Sequence, residues 1–152
     1  MILHKVISTS LGIGYIKNGG GTVAALFTCI CWYLAPFGGN ETVLLQIATT
    51  LLITFFGVWS ASKVEPIWGK DDKKVVIDEV AGMCISLIWV PVTLLNLLAA
   101  FILFRIYDIA KPFFIRKAEK IPGGWGVMLD DVLAGIFANV TLQIFLLISF
   151  QV

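Results

Sequence analysis

Charge is scarce in this chain. Only 14% of its 152 residues are Asp, Glu, Lys or Arg, against about 25% in an ordinary soluble domain. Apolar residues make up 59%, and the mean hydropathy is +0.94. That balance excludes an ordinary soluble domain and indicates an integral membrane protein. Net charge is only +1, so no broad positive field exists to recruit nucleic acid, and none is expected as a partner. Histidine occurs once, at His4, with no candidate partner nearby. Cysteine occurs three times, at Cys29, Cys31 and Cys84, always inside apolar segments. Cys29 and Cys31 point to different sides of a helix, which disfavours a shared metal, so all three read as small buried apolar residues. Internal repeats and low-complexity tracts are absent, and a single domain over 1–152 is expected. The first 14 residues do not resemble a signal peptide, because Ser8-Thr9-Ser10 interrupts the apolar run and no cleavage site follows.

Long uncharged runs are what the chain has instead. They cover 18–40, 42–62, 80–104 and 132–152. A spanning helix needs about 20 apolar residues. The first, second and fourth runs each suit one helix, with Gly38-Gly39-Asn40 as the turn between the first two. The third run suits either one long helix or a hairpin broken near Pro91 and Asn96. Basic residues decide between them. Lys63, Lys70, Lys73 and Lys74 precede the run, and Arg105, Lys111, Arg116, Lys117 and Lys120 follow it. A single crossing would put these clusters on opposite sides, against the positive-inside rule, whereas a hairpin puts both in the cytoplasm. The expected architecture is therefore all-α, with five membrane helices at about 22–37, 42–62, 75–91, 94–111 and 131–150. The middle pair is a short hairpin. Residues 1–16 form an interfacial or re-entrant helix, 63–74 a polar loop, and 112–130 a second loop with a short amphipathic helix at 113–120.

This topology gathers the ionisable residues at one membrane face. Asp78 and Glu79 open the third helix, Arg105, Asp108 and Lys111 close the fourth, and Asp130 and Asp131 open the fifth. Ionisable groups in membrane segments are costly, about 2.5–3.5 kcal/mol each at the bilayer centre, and usually serve a function. Helix capping alone accounts for one acid at a helix start, not for adjacent pairs at two of them. Convergent carboxylates suit a hard cation such as Mg²⁺. Arg105, Asp108 and Lys111 recur along one helix face, where a carboxylate between two cations can aim an arginine fork at phosphate. Gly82 and Ser86 follow Asp78 at helical spacing, as Gly135 and Asn139 follow Asp131, and these small residues suit close helix packing. Gly19-Gly20-Gly21-Thr22 offers backbone N–H groups to an anion at a helix start, or a simple turn. Gly123-Gly124-Trp125-Gly126 reads as a hinge before the last helix.

Three segments resemble the phosphatidylglycerophosphatase A family. They are Ile77-Asp-Glu-Val-Ala-Gly82, Phe104-Arg-Ile-Tyr-Asp-Ile-Ala-Lys-Pro112, and Gly123-Gly-Trp-Gly-Val-Met-Leu-Asp-Asp-Val-Leu-Ala-Gly135, in matching order and spacing. The resemblance implies a magnesium-dependent enzyme of the bacterial inner membrane. It would remove the terminal phosphate of phosphatidylglycerophosphate at the cytoplasmic face. Asp78, Glu79, Asp130 and Asp131 are the expected Mg²⁺ ligands. Arg105, Asp108 and Lys111 are the expected catalytic residues, and Arg105, Lys111, Gly21 and Thr22 would bind the substrate phosphate. One departure stands out. Where the family carries Pro-Gly-Thr-x-Gly-Ser, this chain has Gly20-Gly21-Thr22-Val23-Ala24-Ala25 and lacks the serine. Two rival classes carry different signatures. A small ion-coupled carrier would place its acids near the bilayer midplane between repeated halves, and neither feature is present. A phosphotransferase acting on nucleotide-linked alcohols would carry Asp-x-x-Asp-Gly-x-x-Ala-Arg, which is absent.

Overall fold

A computed structural model describes residues 1–38, 42–70, 72–118 and 120–149, without the side chains of Phe113 and Phe114. Gly39 and Asn40 of the expected first turn lie outside the described residues. Seven α-helices and no strand occur among those described. They are α1 (Ile2–Ser8), α2 (Gly20–Leu34), α3 (Val43–Trp68), α4 (Ile77–Leu87), α5 (Leu94–Ala110), α6 (Phe113–Ala118) and α7 (Gly124–Ser149). Two of them, α3 and α7, are long and apolar enough to cross a membrane.

α7 is the axis of the bundle, with α3, α4, α5 and α6 packed against it. Glycines let α4 and α7 approach closely. A Cβ on Gly82 would stand 2.5 Å from the Asp131 carbonyl oxygen, and one on Gly135 would stand 2.3 Å from that of Gly82. Ser86 donates to the Gly82 carbonyl (2.9 Å) and faces Gly135. Phe104, Met83 and Leu87 fill the core around this crossing. The packing role expected of these small residues is thus observed. Outward faces are apolar instead of charged, with Leu44, Leu51 and Phe55 of α3, Leu95 and Ile106 of α5, and Phe145 and Leu147 of α7 all exposed.

The α4–α5 break falls at residues 88–93, and the chain doubles back there, the hairpin alternative of the two the sequence allowed. Trp89 adopts a left-handed φ of 58°, and the Thr93 side chain caps α5 by accepting from the Asn96 N–H (3.2 Å). Side chains of distant helices satisfy the exposed backbone. Asn139 donates to the carbonyls of Ser86 and Ile88 (3.1 and 2.8 Å), and Gln143 donates to that of Trp89 (2.9 Å). Gln46 accepts from the Trp89 N–H (2.9 Å) while donating to the Phe37 carbonyl (3.2 Å).

Four expected boundaries are corrected. α3 runs to Trp68 instead of ending at 62, because Ala61 and Val64 are buried against Val127 and Met128, so half of the expected 63–74 loop is helical. α7 starts at Gly124, not at 131. Gly124-Trp125-Gly126 lie in its first turn, wedged on α3 where a Gly124 Cβ would stand 2.2 Å from the Val58 carbonyl oxygen. α4 ends at Leu87, short of the expected 91. The N-terminal segment is not one helix over 1–16. The Thr9 hydroxyl donates to the Lys5 carbonyl (2.8 Å) and accepts from the Gly12 N–H (3.1 Å), which closes α1 and leaves a short 3₁₀ turn at Ile13–Tyr15. Cys29 and Cys84 are buried, but Cys31 is exposed, contrary to the expectation for all three.

The N-terminal segment is pinned beneath the bundle. His4 stacks edge-on against Trp59 at 4.4 Å, and the Val76 N–H donates to the Ser8 carbonyl at 2.9 Å. Gly14 touches the Lys74 backbone so closely that a Cβ would stand 1.9 Å from its carbonyl oxygen. These contacts fix the stretch 16–22 beside the start of α4.

Candidate active site

One polar cavity of about 320 Å³ opens at that end of the bundle. It is lined by Gly20, Gly21 and Thr22 from the start of α2, and by Asp78 and Glu79 from the start of α4. Arg105, Asp108 and Lys111 reach it from the end of α5, and Asp130 and Asp131 from α7. Every residue singled out from the sequence for metal, phosphate or catalysis therefore borders one space. The reversal at 88–93 is what brings Asp78 and Asp108 together.

The acids divide into two sets. One oxygen each from Asp78, Glu79 and Asp131 lie within 4.8 Å of one another. Asp78 and Asp131 are buried, at 7% and 3% exposure, and Glu79 is half-buried. Asp78 accepts from the Glu79 N–H (3.1 Å), whereas Glu79 Oε2 is buried with no hydrogen-bond partner among the described residues. Three converging carboxylates with an orphaned oxygen would repel one another strongly unless a cation joined them. An all-oxygen donor set is the chemistry of Mg²⁺, so the residues present fit that ion. Gly21 makes room for this arrangement, since a Cβ there would stand 1.8 Å from Glu79 Oε1.

Asp130 sits apart from the triad. Its Oδ2 accepts from Lys111 Nζ at 2.7 Å. Arg105 is ion-paired with Asp108 one turn on. The one-face reading of Arg105, Asp108 and Lys111 is thus corrected. α5 ends at Ala110, and Lys111, at φ 39°, turns off the helix toward α7. Each cation has its own carboxylate partner. The reading of Asp130 and Asp131 as the start of a helix is also corrected. They lie in the second turn of α7, beyond the reach of the N-terminal dipole, so capping does not explain them.

Three further charged residues line the cavity: Lys17, Asp72 and Lys73. Of these, the sequence pattern involves Lys73 alone, and only in the basic cluster that sets orientation. Their approach depends on the pinned N-terminal segment, a long-range contact without local signature. Asp72 is bonded to Lys74 Nζ (3.2 Å) at the rim.

A family model described as "Phosphatidylglycerophosphatase A" matches residues 6–146. The chain belongs to the phosphatidylglycerophosphatase A family. It is 36% identical over 137 residues to the phosphatidylglycerophosphatase A of Haemophilus influenzae, covering 88% of this chain and 82% of that one. Against the phosphatidylglycerophosphatase A of Escherichia coli it is 31% identical, covering 88% and 77%. A Bacteroides thetaiotaomicron protein named "Putative phosphatidylinositol-3-phosphatase" is 42% identical over 151 residues, covering 93% and 92%. No solved structure matches. The match spans all three of the motif segments that line the cavity.

Proposed function

We propose that this chain is a membrane-embedded, Mg²⁺-dependent lipid phosphatase that converts phosphatidylglycerophosphate to phosphatidylglycerol and inorganic phosphate at the cytoplasmic face. The observation that carries the reading is the convergence of Asp78, Glu79 and Asp131 beside two cations in one cavity. Asp78, Glu79 and Asp131 would hold the metal. When bound, it neutralises phosphate charge and lowers the pKa of water. Arg105, held by Asp108, and Lys111, held by Asp130, stabilise charge on the phosphoryl oxygens as the P–O bond to glycerol breaks. The Arg105–Asp108 pairing favours an orienting role for Asp108. Gly21 and Thr22 add backbone and hydroxyl donors at the start of α2. The missing serine leaves Thr22 as the nearest hydroxyl on that segment. Five helices cross or enter the bilayer with the cavity at the cytoplasmic edge, and α1 lies at the interface with Ile2 and Leu3 exposed.

The Bacteroides relative favours a second reading with the same chemistry and a different headgroup. Its named substrate class is also a phosphomonoester on a lipid-borne polyol. Purified protein should therefore be offered phosphatidylglycerophosphate, phosphatidylinositol 3-phosphate and phosphatidic acid, with Mg²⁺ or chelator. Phosphate release chiefly from the first, abolished by chelator, is expected. Preference for the second would move the assignment to inositol lipids, and release from none would end the phosphatase reading.

A further inference from the structure

An apolar groove of about 240 Å³ runs between α2 and α5, lined by residues the chemistry above does not use. Its floor is Cys29 and Leu97, both buried. Its walls include Ile30 and Leu98, which are 52% and 54% exposed. We infer that this groove seats an acyl chain of the phospholipid substrate whose phosphate occupies the polar cavity. The inference rests on the lipid phosphatase reading and adds where the hydrophobic part of the substrate lies.

Continuity between groove and cavity carries it. On α2, Leu26, Cys29, Ile30 and Tyr33 form one helical stripe, and Thr22, which lines the cavity, is four residues before Leu26 on that stripe. On α5, Leu94, Leu97, Leu98 and Phe101 form a stripe that continues through Arg105 and Asp108. Both helices therefore carry one unbroken line from phosphate donors to aliphatic side chains. At 1.5 Å per residue, the groove begins about 6 Å from Thr22 and Arg105 and extends about 10 Å further. A headgroup phosphate held at the polar end would leave a fatty chain lying along the walls. The groove lining is overwhelmingly apolar, which suits a hydrocarbon chain over a polar occupant.

The test uses phosphatidylglycerophosphate carrying a diazirine in one acyl chain, photolysed with the full-length protein in nanodiscs and mapped by mass spectrometry. Label should concentrate on peptides containing Leu26 to Leu34 and Leu94 to Phe101. Excess unlabelled phosphatidylglycerophosphate should compete it away, while phosphatidylcholine with the same chains should not. Leu98→Trp, which fills the groove from its exposed wall, should cut that labelling about tenfold. Leu52→Trp, on the outward face of α3, should leave it unchanged. Label spread evenly over all lipid-facing helices would overturn the inference, as would label excluded from α2 and α5 because a second copy covers them. Release of phosphate from the same photolipid is measured in parallel. Turnover with evenly spread label sinks the groove alone, whereas no turnover sinks the phosphatase reading beneath it.

Discussion

Gly21 and Glu79 face each other so tightly that only hydrogen fits between them. A methyl at position 21 would stand 1.8 Å from a carboxylate oxygen, the movable end of a flexible side chain, so the fold can yield but the acid must move. Gly21→Ala is expected to leave the protein folded and to raise the Mg²⁺ concentration for half-maximal activity about tenfold, by analogy with other displaced ligand supports. A metal titration of phosphate release reads this directly. On the proposed metal site, Asp131→Asn and Asp78→Asn would each remove one ligand charge. Both should insert normally and show activity near background at saturating Mg²⁺, and wild-type turnover in either variant would refute the metal role. Arg105→Ala should lower kcat by about 10²–10³-fold, the usual effect of losing one donor to developing charge. A folded Arg105→Ala enzyme with unchanged kcat and KM would remove Arg105 from phosphate handling. Residue identities at the site were legible in the sequence, because acids and cations in an apolar chain have few other reasons to be there. Their pairing was not. Which acid serves Lys111 and which joins the triad depends on how far α7 extends and where α5 stops, and both are set by packing.

Helix ends were the least legible feature. Glycine beside glycine reads as a break, yet Gly124 lies inside α7 because α3 presses on it. The serine that stops Gly124 from being an orphan, Ser62, is 62 residues away and accepts its N–H at 2.9 Å. The α4–α5 reversal was legible from lysine and arginine placement, while the sequence around Pro91 alone allowed either outcome. At the α4–α7 crossing, a methyl on Gly135 would meet backbone, which cannot swing aside. Gly135→Ala should therefore destabilise the fold by about 1–3 kcal/mol, seen as a lower unfolding midpoint in detergent. An unchanged midpoint would mean that the two helices separate more easily than their spacing implies.

For the whole molecule, the decisive geometry is that both ends of the α4–α5 pair meet at one polar cavity. Cysteines placed at Lys70 and Lys117, in a background lacking the native three, should react with a membrane-impermeant maleimide from the same side. Labelling from opposite compartments would contradict the common face. Composition alone anticipated the apolar outer surface and the two helices long and apolar enough to cross a membrane, since neither needs a long-range contact to be recognised. The pinning of residues 1–16 under the bundle was invisible, because Gly14 against Lys74 and His4 against Trp59 leave no local mark.

The crossing glycine at position 135 and the amides of Asn139 and Gln143 all reside on α7, the last helix described to leave the ribosome. Until it emerges, α4 has no neighbour for its narrow face, and the carbonyls of Ser86, Ile88 and Trp89 lack their donors. Such bare groups are costly wherever water is excluded. A translation product stopped before residue 124 keeps the α2–α4 and α3–α4 packing but leaves the remaining face of α4 bare, so the bundle closes only when α7 arrives.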